Sequence, residues 1–182
     1  MALSWPVEAR VTQQFGTNPN SIQPNGHTGI DFGVPVGTPI YAADSGNILY
    51  ADWAHLLSAS NPWWVAPAYA GIFVLIDHND GFLTLYAHLN STDLNKGQFV
   101  EKGQLIGLSG STGLSTGPHL HFEVLGWPLK PYNGFYGRLN PNAYCGGFAK
   151  AQPVEANQRV VGDSGAKERT GASTSSAEGM IF

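Results

Sequence analysis

Gly71-Ile72-Phe73-Val74-Leu75-Ile76-Asp77-His78-Asn79-Asp80-Gly81-Phe82-Leu83-Thr84-Leu85-Tyr86-Ala87-His88-Leu89 holds two runs of strand-forming residues separated by Asn-Asp-Gly. The first run is densely apolar and bounded by turn residues, as a central strand buried on both faces should be. Asn79-Asp80-Gly81 is a hairpin turn signal, because Asn, Asp and Gly accept the positive φ that tight turns require. The return run alternates, which places Phe82, Thr84, Tyr86 and His88 on one face. His88 then stands at the far end of the strand, where a sheet meets a binding loop. His78, beside the turn, is expected to face solvent.

The same habit extends to both sides. Val36-Gly37-Thr38-Pro39-Ile40 and Val100-Glu101-Lys102-Gly103-Gln104-Leu105-Ile106 each place an apolar residue, a glycine turn and a short apolar strand in the same order. Such a weak repeat predicts two similar hairpin units packed into one sheet system. Ala2 to Gly16 reads as an opening strand and Gly16 to Gly26 as a loop. Asp52 to Tyr69 interrupts the rhythm with three of the five tryptophans and two prolines, and reads as an inserted loop. Its aromatics are expected mainly to pack the loop onto the body, with substrate contact as the alternative. His55, within it, has no partner pattern and is read as structural. Pro128 to Phe148 reads as coil wrapping back on the domain.

Composition agrees. The chain has 182 residues, enough for one domain with a hydrophobic core and a tail. Hydrophobic residues are 42% and charged residues 12%, and 23 glycines with 12 prolines indicate many turns. The fold class is therefore all-β: an antiparallel β-sandwich or sheet of short hairpins, with long loops forming a groove and few helices. A net charge of -4 without any basic run gives no electrostatic reason to bind nucleic acid. No apolar run is long enough to insert in a membrane. Cys145 is the single cysteine, so it can build neither an internal disulfide nor a thiolate metal site, and is read as a small buried residue.

Chemistry is carried by histidines at loop-proximal strand ends. The Gly/Ser-rich stretch from Ser109 to Gly117 reads as a flexible loop that stops at Pro118 and delivers His119-Leu120-His121-Phe122-Glu123. In a strand His119 and His121 share one face, while Leu120 and Phe122 point into a core. Upstream, His27 and Asp31 lie four residues apart in Gly26-His27-Thr28-Gly29-Ile30-Asp31, a loop passing into a strand. Together with His88 these make five groups without cysteine, a set suited to catalytic zinc. Three neutral imidazole or carboxylate ligands hold the ion and leave a position for water. Two histidines remain to orient or deprotonate that water and to stabilise an oxyanion.

His27-x-x-x-Asp31, Tyr86-Ala87-His88-Leu89 and Gly117-Pro118-His119-Leu120-His121-Phe122-Glu123, in this order, resemble the lysostaphin-type zinc metallopeptidases, which cleave peptide bonds in bacterial peptidoglycan. The resemblance runs from about Trp5 to Gly126. It implies one Zn2+ per chain held by His27, Asp31 and His121, with His88 and His119 as the catalytic pair and a peptidoglycan peptide as substrate. The tryptophan-rich Asp52 to Tyr69 segment departs from the family. Two other readings are a non-catalytic wall-binding or virion module that keeps the fold, and a phosphocarrier, for which the HxxxD motif has no use.

The catalytic domain is expected over 1–148. From 149 to 182 the composition turns to Ser, Ala, Gly, Glu and Gln, as in a linker or flexible tail, with a short helix over Val154–Arg159. The N-terminus lacks a basic region followed by an apolar run, so synthesis in a cytoplasm without a signal peptide is expected. Action on the wall then requires phage-mediated release or delivery by a virion. Fusion to a wall-binding domain or assembly with a phage tail is expected to run through the C-terminal segment.

Overall fold

The computed structural model describes residues 2–21 and 23–149. The hairpin read from the sequence is its centre: β6 (Ile72–Asp77) and β7 (Phe82–Ser91) pair antiparallel across the Asn79-Asp80-Gly81 turn. Around it run β2 (Arg10–Gln13), β3 (Ile30–Gly33), β4 (Pro39–Tyr41), β5 (Gly46–Trp53), β8 (Phe99–Val100), β9 (Leu105–Ser109), β10 (Leu120–Gly126) and β11 (Arg138–Leu139). These ten strands form one sheet in the order β2-β3-β10-β7-β6-β5-β8, with β11 beside β10 and β9 joining the end of β7 to β4. Every pairing within it is antiparallel. The all-β antiparallel expectation is met, and the helical content of the described residues is two single turns of 3-10 helix.

Alternation along β7 and β10 builds two cores. Thr84, Tyr86, Leu120, Phe122 and Val124 point to one side, where they join Ile30 and Phe32 of β3. Leu83, Leu85, Ala87 and Leu125 point to the other, against Phe73. Fully burying each of the large side chains contributes about 1.5–3 kcal/mol, so both faces are held. The two halves of the weak repeat pair with one another, Ile40 opposite Gly107, rather than standing as separate hairpins.

Several expectations are corrected. The opening strand is two short strands, β1 (Leu3–Trp5) and β2, divided at Pro6, whose ring removes a backbone donor. β1 pairs parallel with β12 (Cys145–Phe148), so the presumed coil after Pro128 contributes two strands. β5 continues through Asp52 and Trp53, which shortens the inserted loop. Cys145 is half-buried rather than buried, and burial pushes its thiol up to about 12, so it stays protonated at neutral pH.

His78 is half-buried and hydrogen-bonded at both ring nitrogens rather than solvent-facing. Its Nδ1 is 2.9 Å from Ser45 O and its Nε2 is 2.8 Å from Thr84 Oγ1, which lies 2.9 Å from Tyr86 Oη. Ser45 O accepts the His78 Nδ1–H, Thr84 Oγ1 donates to Tyr86 Oη, and Tyr86 Oη also accepts the Ala43 N–H at 2.8 Å. Each polar atom of this chain has a partner, which is what burial demands of polar groups. From 150 onward the expected tail, with its short helix, lies outside the described residues.

Candidate active site

The site face of β10 is the one that carries Leu125, and period two brings His121 and Glu123 onto it. Asp31 of β3 is the direct cross-strand neighbour of His121, and Ala87 of β7 flanks His121 on the other side. His27 arrives from the loop before β3. Gly29 permits that approach, because a Cβ there would lie 2.9 Å from the His121 ring and would collide with Phe122 O.

His88 reaches the same face by a break in the alternation. Ile72 pairs with Leu89 and Val74 with Tyr86, so three steps along β7 oppose two along β6. This is a β-bulge, a device that re-aims a side chain. His88 sits in it at φ 60, a region a non-glycine residue seldom adopts. The expectation that His88 shares a face with Tyr86 is therefore wrong: Tyr86 enters the core and His88 turns to the groove.

Thr112 repairs the bulge. Its Oγ1 donates to Leu89 O at 2.6 Å and accepts from the Ile72 N–H at 3.0 Å, while its carbonyl accepts the His88 Nδ1–H at 2.8 Å. The Gly/Ser loop read as flexible is thus pinned, with Leu114 N–H donating to Tyr69 O at 3.0 Å. His119 follows at the loop's end, and its Nδ1 is 2.8 Å from Gly117 O. Both histidines commit Nδ1–H to a carbonyl and keep Nε2 for the groove. Their rings are 4.6 Å apart.

His27, Asp31, His88, His119 and His121 all line one groove of about 560 Å³. Three ligand atoms converge in it: Asp31 Oδ1 lies 2.8 Å from His121 Nδ1 and 3.2 Å from His27 Nε2, and the two nitrogens are 3.0 Å apart. His119 Nε2 is farther, 3.9 Å from Asp31 Oδ1. His121 Nε2 donates to Glu123 Oε1 at 3.1 Å, which directs the Nδ1 lone pair toward Asp31 and His27. Glu123 is itself fixed, by Thr28 Oγ1 at 2.6 Å and Arg138 Nε at 3.0 Å. A carboxylate behind a histidine is the support that metal ligands require.

Electrostatics tests the fit to a cation. Burial disfavours a charged His121, yet hydrogen bonds to Asp31 and Glu123 outweigh it and raise the imidazole to about 10. Burial likewise opposes Asp31, but the two histidines hold its carboxyl below the usual carboxylate range. Against its own burial, the Arg138 charge and the His121 hydrogen bond bring Glu123 down to about 2. The cluster therefore demands positive charge between Asp31 and His121, and a divalent cation meets that demand while freeing the proton. The donor set, two imidazoles and a carboxylate, suits zinc. Burial, then the like charge of His121, holds His88 down at about 4, so it is neutral at pH 7.

Sequence reading left out Glu123, Thr28, Thr112 and Arg138. Glu123 was within reach, two residues past His121 on one strand face. Arg138 was not, since it lies in a stretch read as coil. His55 stays on the surface beside Trp53. Trp63 packs on the second core, as expected of the inserted loop, whereas Trp64 stands 55% exposed on the groove.

Known proteins resemble this chain in sequence and fold. The chain is 36% identical over 126 residues to the peptidoglycan DD-endopeptidase ShyA of Vibrio cholerae, covering 66% of this chain and 26% of that protein. Lysostaphin of Staphylococcus simulans is 36% identical over 109 residues, covering 60% of this chain and 20% of that one. The chain thus spans about a quarter or less of the length of these curated relatives. The crystallised catalytic domain of lysostaphin superposes with a TM-score of 0.60 at 31% identity, covering 75% of this chain and 91% of that one. A variant of the catalytic domain of the prophage-encoded M23 protein EnpA from Enterococcus faecalis does so at 0.56 and 27% identity, covering 78% and 97%. The description "Peptidase family M23" matches residues 25–141, which hold all five histidine and aspartate groups, and the chain belongs to that family.

Proposed function

We propose that the protein is a zinc-dependent endopeptidase that hydrolyses peptide bonds in bacterial peptidoglycan. One observation carries this reading: three lone-pair ligands converge beside two histidines that each keep Nε2 for the same groove. His27 Nε2, Asp31 Oδ1 and His121 Nδ1 would hold the ion. Bound there, zinc supplies Lewis acidity, polarising the scissile carbonyl and acidifying the attacking water. His88 and His119 manage the proton. One Nε2 accepts it as water attacks the carbonyl carbon, and the neighbouring ring stands by the developing oxyanion. The C–N bond then breaks and the proton passes to the leaving amine.

Action at the wall, reached by phage-mediated release or as part of a virion, belongs to the same proposal, as does attachment through the C-terminal segment. The likeness to a prophage-encoded catalytic domain supports it. The test is digestion of purified peptidoglycans of several cross-bridge types, with mass spectrometry of the released muropeptides. New amine and carboxyl ends are expected, lost on chelation and restored by Zn2+. Full turnover in excess chelator would refute the zinc reading. Intact muropeptides from every wall type would refute the substrate.

A further inference from the structure

Arg138 is buried, yet it uses its guanidinium in three directions. Nε donates to Glu123 Oε2 at 3.0 Å, Nη1 to Tyr136 O at 2.9 Å and Nη2 to Trp64 O at 3.3 Å. The two carbonyls belong to residues with an unusual backbone: Trp64 has φ 54 and Tyr136 φ 53. Bulky residues rarely adopt this region, and such outliers gather at ligand clamps, held by surrounding structure. The two rings are stacked, with centroids 6.2 Å apart and planes at 25°. Both stay open to solvent, 55% for Trp64 and 39% for Tyr136, and both line the groove. An aromatic pair that serves only packing would bury its faces.

We propose that Trp64 and Tyr136 form a substrate-binding subsite for an uncharged stretch of peptide, and that Arg138 is the positioning residue that builds it. The chemistry of the occupant follows from what surrounds it. Arg138 is the only Lys or Arg among the described residues that line the groove, and its fork is already shared between Glu123 and two carbonyls. A substrate carboxylate would find no partner at this end. Backbone amides and small aliphatic side chains suit two aromatic faces with Leu114 and Ala66 nearby on the groove lining. Through Glu123, the same guanidinium also stands behind His121, so the subsite and the metal ligand share one anchor. Lysine cannot reproduce a three-way fork.

The inference rests on the peptidase reading, and binding and turnover separate the two. Binding of a purified cross-linked muropeptide is measured by calorimetry on the zinc-loaded full chain in a His119→Ala background, with and without Trp64→Ala. We expect Trp64→Ala to weaken binding about tenfold and Trp64→Phe to restore it to within about threefold. In the otherwise native chain, Arg138→Lys should raise KM about tenfold and leave kcat within about threefold. Because Glu123 behind His121 loses its guanidinium partner, Zn2+ affinity, read by chelator competition, should fall several-fold, so KM and kcat are read at saturating Zn2+. Binding unaltered by Trp64→Ala would overturn the subsite, as would no binding by the parent protein. Competition by a peptide-free chitooligosaccharide as strong as that by muropeptide would overturn the peptide assignment. A kcat loss with KM unmoved in Arg138→Lys would overturn the positioning role. Should the native chain bind muropeptide without cleaving it, the peptidase reading fails, and the Trp64→Ala comparison still decides the subsite.

Discussion

β7 and β10 carry a histidine network on each face, and the two are built on opposite terms. On the Tyr86 face the chain from Ala43 through Tyr86 and Thr84 to His78 and Ser45 is complete, every polar atom in it holding a partner. On the His121 face, once His121 donates its Nε2–H to the Glu123 carboxylate, the groups that remain are acceptors pointed at one another. Burial tolerates the first arrangement unaided, whereas the second is stable only around a positive charge. Completeness marks a network that holds the fold, and a shared deficit marks one that works.

The comparison breaks most readily at the ligands. Asp31→Ala or His121→Ala should strip zinc from the purified protein and reduce muropeptide release to background, a loss of at least about 10²-fold, checked by elemental analysis beside the assay. His88→Ala should cost about 10²–10⁴ in kcat with zinc still bound; a variant of native rate would remove His88 from the mechanism. Glu123→Gln sharpens the contrast, because it weakens the support behind His121 without touching the ligand set. Zn2+ affinity should fall about 10–100-fold, and an unchanged affinity would make the carboxylate a mere packing group. The smallest functional effect belongs to the complete network. Tyr86→Phe leaves Ala43 N–H without its acceptor and should lower stability by about 1–3 kcal/mol, measured by denaturant unfolding. Metal content and kcat should not change, and a loss of zinc there would erase the distinction between the faces.

Much of this was legible before any coordinates. The hairpin, the all-β class and the shared face of His119 and His121 follow from period-two alternation and turn residues, which act locally. The joining of His27 and Asp31 to them in one site rests instead on the resemblance of three ordered motifs to a known family. What escaped depends on departures from that period or on distant packing. Strict alternation sends His88 into the core with Tyr86, and only the bulge, set by how β6 pairs with β7, turns it back. A turn-adjacent histidine usually faces solvent, but the carbonyl of Ser45, 33 residues away, accepts the His78 Nδ1–H. Arg138 lies in a segment whose sequence reads as coil, and its role comes from Glu123 and Trp64, which no local pattern links to it.

The repair made by Thr112 carries one further consequence. The Ile72 amide donates to a hydroxyl from the loop after β9 and not to a neighbouring strand, while the same residue's carbonyl holds His88. Undocking that loop would expose one amide in the middle of the sheet and free the His88 ring in a single event. Hydrogen exchange at Ile72 therefore runs on the clock of loop opening, far faster than at Val74 or Leu75 in the same strand. One proton in the backbone thereby reports how often His88 is in place.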